Sequence, residues 1–150
     1  MTVTDVTEAH IPQIAALERR CFSMPWTEAM LRSQTAPGHV FLAAVEDEAE
    51  GTAVLGYVGL LFVLDEGYIS NVAVAPERRR SGIADALLSA LERRAREKEL
   101  AFLTREGRAG NAAAIALYEK HGFRAVGRRK SYYEKPREDA IMMTLELIQR

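Results

Sequence analysis

Cysteine is nearly missing from this 150-residue chain. Cys21 stands alone, so no disulfide can close within it and no cysteine-rich zinc knuckle can be built. An excess of positive charge is missing too. With 20 Lys and Arg against 21 Asp and Glu the net charge is −1, and no bulk field gathers nucleic acid or an anionic membrane. No apolar run reaches the ~20 residues that a membrane helix needs. The first seventeen positions carry Asp5, Glu8 and His10 and read as neither signal peptide nor anchor, so the cytoplasm is the expected compartment. Repeats, low-complexity tracts and linkers rich in Pro, Gly or Ser are lacking as well. What is present is ordinary globular composition, 48% hydrophobic and 27% charged, in a length that suits one domain over residues 1–150.

Hydrophobic periodicity orders the elements. Thr2 to Val6 alternates as a short strand. Thr7 is placed to cap a helix with Ile11, Ile14, Leu17 and Cys21 on one face, and Pro12 is tolerated in its first turns. Pro25 and Trp26 break the chain, and Thr27 caps a second, short helix to Ser33. Strands are predicted over 40–45, 54–63 and 68–74, with Asp47 to Gly51 as the first turn. From Gly82 to about Glu99, Ile83, Ala86, Leu87, Ala90, Leu91 and Ala95 form a helical apolar stripe. A strand over 101–106 follows. Asn111 then caps a helix to His121, which Gly122 ends. Strands from Phe123 and over 140–147 close the chain around a loop at Lys135 to Arg137. Mixing βαβ units with hairpins implies a mixed α/β sheet covered by helices on both faces.

One junction carries chemistry. After the strand ending Val72-Ala73-Val74 comes Ala75-Pro76-Glu77-Arg78-Arg79-Arg80-Ser81-Gly82-Ile83-Ala84-Asp85. A helix N-terminus offers unpaired N–H groups and partial positive charge, which suits a pyrophosphate. Gly82 lets backbone approach an anion, Ala84 is small, and Arg79 and Arg80 add charge. Taken alone, the same residues also suit a plain strand–loop–helix turn with solvated arginines.

The wider text resembles the GNAT acetyltransferases, whose acetyl-coenzyme A motif is Arg/Gln-x-x-Gly-x-Gly/Ala after a strand. Arg79 to Ala84 fits it. Within that superfamily the chain is similar to the RimI-type bacterial ribosomal-protein alanine N-acetyltransferases over nearly its whole length. The similar segments are 21–26, 68–74, 79–84, Asn111 to Lys120 with Gly122-Phe123, Tyr132-Tyr133, and 136–141. The resemblance implies a mostly antiparallel sheet of six to seven strands, α+β in character, whose central strands splay. It implies acetyl-coenzyme A as co-substrate, with pantetheine lying along Val72, Ala73 and Val74. The pyrophosphate would sit on the N–H groups of Arg80, Ser81, Gly82, Ile83, Ala84 and Asp85. No metal is implied.

The same resemblance implies roles for single residues. Asn111 would lie near the coenzyme, though an asparagine there is first of all a helix cap. Tyr118 would be the general acid that protonates the leaving thiolate, and Glu106 the base; otherwise they are a packed aromatic and a solvated carboxylate. The Val74 N–H would polarise the thioester carbonyl. Transfer would be direct, with Cys21 an inert small hydrophobe in its helical stripe. Pro25, Trp26, Tyr132 and Tyr133 would wall the peptide groove, and Glu138 and Asp139 would greet a positive amino terminus. On sequence alone, Tyr132 and Tyr133 equally read as the two faces of one strand, one in and one out. The implied substrate is the amino-terminal alanine of the eighteenth small-subunit ribosomal protein, and the enzyme is expected to be a monomer. The basic runs 78–80 and 128–130 read as coenzyme contacts and solvated surface rather than as a nucleic-acid site.

A GNAT enzyme for a lysine or a small-molecule amine, and a non-catalytic acyl-coenzyme A sensor, stand as alternatives. One departure from the pattern stands out. Arg105 and Gly107 replace the apolar residues that flank the family's glutamate, on a strand face expected to be dry. Apolar substitution there is expected to stabilise the fold.

Overall fold

A computed structural model describes residues 1–134 and 136–148. In chain order the elements are β1 (Thr2–Asp5), α1 (Ile11–Cys21), α2 (Glu28–Ser33), β2 (His39–Glu48), β3 (Gly51–Val63) and β4 (Glu66–Val74). Then come α3 (Ile83–Glu97), β5 (Phe102–Arg108), α4 (Ala112–Lys120), β6 (Arg124–Glu134) and β7 (Arg137–Glu146). Two of the expected caps are in place: Thr27 Oγ1 accepts from Met30 N at 3.2 Å, and Asn111 Oδ1 from Ala114 N at 3.1 Å. Gly122 leaves α4 with φ +90°, a region that favours glycine.

Thr7 departs from its expected part. A 3₁₀ turn over Glu8–His10 precedes α1, and the Thr7 N–H donates to His10 Nδ1 at 2.9 Å. Pro12 then sits in the first turn of α1, where its missing N–H costs nothing. The strands also run longer than the apolar pattern. Asp47-Glu48 pair with Gly51-Thr52, which shortens the first turn to Ala49-Glu50. Arg137 is likewise strand, paired with Glu134; Lys135, expected in a loop, lies outside the described residues.

The sheet runs β1-β2-β3-β4-β5-β7-β6, antiparallel at every pairing except β4 with β5. Both faces are covered. Alternate residues of β2 enter separate cores: Val40, Leu42 and Ala44 meet α3, while Phe41 and Ala43 meet α1 and α2. On the first side Leu87, Leu91, Leu103 and Tyr118 are buried, and on the second Ile11, Ile14, Leu31 and Tyr57. Each such side chain contributes ~1.5–3 kcal/mol on burial.

The parallel pairing decides the shape of the site. It holds for three residues only, Glu66 to Tyr68 against Phe102 to Thr104. Ser70 is then an extra residue in β4, because Ile69 faces Leu60 and Asn71 faces Gly59. A bulge bends its strand and sharpens the local twist. Gly59 makes room for it, since a Cβ there would stand 2.6 Å from Ser70 Oγ. Beyond the bulge β4 stays with β3, β5 stays with β7, and the sheet opens between them.

Candidate active site: a slot between parted strands

The parted strands enclose a cleft of about 720 Å³. Asn71 to Val74 form one wall, Arg105, Gly107 and Arg108 the other, and Asn111, Leu117 and Tyr118 of α4 the floor. Ala75 N donates to Leu55 O of β3 at 2.8 Å. Successive peptide groups of a strand point to opposite sides, so the Val74 N–H is turned into the slot. Here an extended amide chain finds backbone partners that β5 does not use.

The slot leads to the start of α3. Arg80 (φ +62°) and Gly82 (φ +83°) both take left-handed backbone, and α3 begins at Ile83. The first-turn N–H groups lack intrahelical acceptors and face outward with the positive end of the helix dipole. A Cβ at Gly82 would meet no protein atom within 4 Å, so its φ requires the glycine and the space beyond it is open. Arg79 and Ala84 line the slot, while Arg80 and Ser81 are exposed. The Asp85 side chain is engaged within the protein. Its carboxylate takes His121 Nε2 at 2.8 Å and Lys120 Nζ at 3.1 Å, pinning α3 to α4. The His121 hydrogen bond, above the other contacts, holds that carboxyl below its usual range.

Tyr118 is 5% exposed, packed edge-on against Phe123 with ring centroids 5.2 Å apart, and it reaches the slot. Burial pushes its phenol up, and the Arg105 guanidinium beside it opposes the rise. Asn111 caps α4 and lines the slot at once, so its two readings coexist.

Glu106 stands apart. Alternation along β5 turns it to the face opposite Arg105. Its Oε1 pairs with Arg129 Nε of β6 at 3.0 Å, and it is not among the residues lining the cleft.

Arg105 and Gly107 overturn the expectation of a dry face. Arg105 Nη1 donates to Ser70 O at 2.6 Å and to Ile69 O at 3.3 Å, capturing carbonyls that β5 abandons at the bulge. Gly107 borders the slot, and a Cβ there would touch nothing within 4 Å. The physical reason is the splay: β5 has no sheet neighbour on that side, so the face opens onto the cleft.

Cys21 is also not the buried hydrophobe expected. It is half-buried in the slot wall, with Sγ 3.8 Å from Val74 O and 3.6 Å from Arg79 Nη2.

The groove residues divide. Tyr133 lines the slot, with the Arg108 guanidinium 4.3 Å from its ring centroid, while Tyr132 is 50% exposed beside Arg129. Pro25 and Trp26 are half-buried outside the slot wall, and the residues that reach it are Phe22 and Ser23. Glu138 and Asp139 are committed within the chain rather than poised for an amine. Glu138 accepts from Gly110 N at 2.6 Å and pairs with Arg108 at 3.3 Å. Asp139 accepts from Ser131 N and Arg128 Nε, both at 2.7 Å, which holds its carboxyl low.

Sequence reasoning passed over a buried cluster behind β4. Glu18 is 1% exposed and accepts from the Tyr57 hydroxyl, from Asn71 Nδ2 at 2.9 Å and from Trp26 N at 3.2 Å. It ties the turn at Trp26 to the slot strand. The signal was a charged residue one turn after Ile14, inside the apolar stripe of α1. Burial, and then Glu18, push the Tyr57 phenol far up, so it remains a donor. Among the described residues no cluster of three His, Cys, Asp or Glu side chains is placed to hold a metal.

Open backbone donors, a helix N-terminus and a guanidinium at the slot's end fit the pantetheine and pyrophosphate of coenzyme A. Comparison with known proteins points the same way. Residues 11–123 match the acetyltransferase (GNAT) family. The [ribosomal protein bS18]-alanine N-acetyltransferase of Escherichia coli (strain K12) is 33% identical over 148 residues, 97% of each chain. The crystal structure of the ribosomal-protein-S18-alanine N-acetyltransferase from Escherichia coli superposes with a TM-score of 0.87 at 32% identity, covering 99% of this chain and 95% of that one. Arabidopsis thaliana NAA60 in complex with acetyl-CoA shares the fold, with a TM-score of 0.88 at 18% identity over 97% and 98% of the two chains.

Proposed function

The chain belongs to the GNAT acetyltransferase family, and on that premise we propose that it moves acetyl from acetyl-coenzyme A to the α-amine of an amino-terminal alanine, that of ribosomal protein bS18. The observation that carries this reading is the slot beside β4, continuous with the α3 cradle and bordered by Tyr118.

Val72 to Val74 hold the pantetheine arm by backbone, and the α3 N–H groups with Arg79 and Arg80 hold the phosphates. The Val74 N–H polarises the acetyl carbonyl. The amine nitrogen bonds to the acetyl carbon, the C–S bond breaks with its electron pair going to sulfur, and Tyr118 supplies the proton there. The amine gives up its own proton to Glu106 through water, because Glu106 stands off the slot wall. An α-amine with pKa ~7.7–8.0 is already roughly a tenth to a sixth neutral at pH 7, so a distant base suffices. A lysine at ~10.4 would be less than about a thousandth neutral. Phe22, Ser23 and Tyr133 receive the peptide.

The test is acetyl transfer to short peptides beginning with Ala, Ser, Met or a blocked residue, each also containing a lysine. Acetyl is expected on the α-amine of the alanine peptide and not on the blocked one. Lysine acetylation of the blocked peptide at an equal rate would overturn the reading.

A further inference from the structure

The roles above leave Arg105 without one, although it occupies the apex of the slot. The bulge at Ser70 turns two successive β4 carbonyls the same way, and Arg105 Nη1 takes both, at 2.6 Å and 3.3 Å. Its side chain and that of Tyr118 line the same cavity. A guanidinium does not lose its proton in proteins. A permanent cation, fixed by backbone acceptors on one strand, is thus set against a buried hydroxyl on a helix.

We propose that Arg105 is a positioning residue of the acyl transfer: anchored to the β4 bulge, it orients Tyr118 and stabilises the phenolate left when Tyr118 gives its proton to the departing sulfur. The inference rests on reading Tyr118 as the acid.

The balance is simple. The C–S electron pair goes to sulfur, the phenol proton follows it, and the phenolate regains a proton equivalent to the one the amine has lost. Without a neighbouring cation, a phenolate at 5% exposure is strongly disfavoured. Other charged or titratable groups line the cleft: Arg108 from β5, Tyr133 from β6, Arg79 from the cradle and Cys21 from α1. β7 contributes only apolar Ile141 and Met143. Arg105 is the charged group that bears on the Tyr118 phenol.

Two readouts test this. First, a fluorinated tyrosine, whose phenol ionises in an accessible range, replaces Tyr118 and is titrated by fluorine NMR. Arg105→Gln removes the charge while keeping an amide donor for the Ser70 carbonyl, which protects the fold. The phenol is expected to titrate about 1–3 pH units higher in that variant, and Arg105→Lys is expected to restore part of the difference. Second, Arg105→Gln is expected to lower kcat about tenfold to a hundredfold, a part of what a general acid contributes, with KM for acetyl-coenzyme A nearly unchanged. In a Tyr118→Phe background it is expected to lower kcat no further. An unmoved phenol, or losses that multiply in the double variant, would overturn the inference. The titration needs no turnover, so a chain that acetylates no amine would sink the acyl-transfer reading while the coupling of Arg105 to Tyr118 is still decided.

Discussion

Arg105 and Gly107 show how a single side chain changes meaning with its surroundings. Judged as strand residues on a covered face, they would be improved by Arg105→Leu with Gly107→Val, for a gain of ~1–3 kcal/mol. In the fold that gain disappears. The valine would project into an open slot and bury little, and the leucine would strip the donor from the Ile69 and Ser70 carbonyls. Loss of a donor costs up to ~1–3 kcal/mol where the acceptor is fully buried, and these acceptors are part-buried. The double variant is therefore expected to unfold at a lower denaturant midpoint and to bind coenzyme more weakly. A raised midpoint would show the face to be dry after all. Glu106 invites a different experiment. If it takes the amine's proton, Glu106→Gln loses most activity at low pH and less as pH rises through ~8, where the α-amine is neutral unaided. A defect of equal size across that range would make Glu106 a positioning group tied to Arg129.

Elements are joined by ion pairs whose contribution depends on pH. Arg20 on α1 grips Glu77 in the turn before the cradle, with Nη1 3.2 Å from Oε1. That hydrogen-bonded partner lowers the Glu77 carboxyl from 4.5 to about 2. A depressed carboxyl stabilises the fold fully above its unfolded value and loses that contribution as pH falls toward the folded one. The window here is pH 4.5 to about 2. Wild type and Glu77→Gln are expected to differ in melting temperature above the window and to converge at its foot. The pair is exposed, so the difference is small, and melting temperatures already equal above the window would mean that α1 is held by its apolar face alone. At the sheet's edge, β6 carries Arg124, Arg128, Arg129 and Lys130 on an exposed strand, and such charges discourage pairing with another chain.

At the scale of the molecule, the sheet is two sub-sheets joined by a three-residue parallel pairing and by Arg105. A ligand lying between them supplies contacts that the fold lacks. Acetyl-coenzyme A is therefore expected to raise the melting temperature, with ~4 kcal/mol of stabilisation at a thousandfold excess over Kd. Gly82→Glu places strain at φ +83° and negative charge at the phosphate cradle, and is expected to abolish the increase. A melting temperature that millimolar coenzyme leaves unmoved would remove the cofactor from the slot.

The caps at Thr27 and Asn111, the periodicity and the left-handed turn at Gly82 were legible in the chain because they are local. Thr27 and Asn111 reach an N–H three residues away, and Gly82 sets its own φ. The stripes of α1 and α3 name their buried faces without knowledge of a partner. The splay, the bulge at Ser70, the Arg105 bridge and the Glu18–Tyr57–Asn71 cluster were not legible. Each joins residues far apart in sequence, as Arg105 joins Ser70 across thirty-five positions and Glu18 joins Asn71 across fifty-three. A backbone carbonyl has no residue identity, so nothing in the sequence marks Ile69 and Ser70 as acceptors awaiting a guanidinium. That was decided only when β5 parted from β4 and left two part-buried carbonyls to be satisfied.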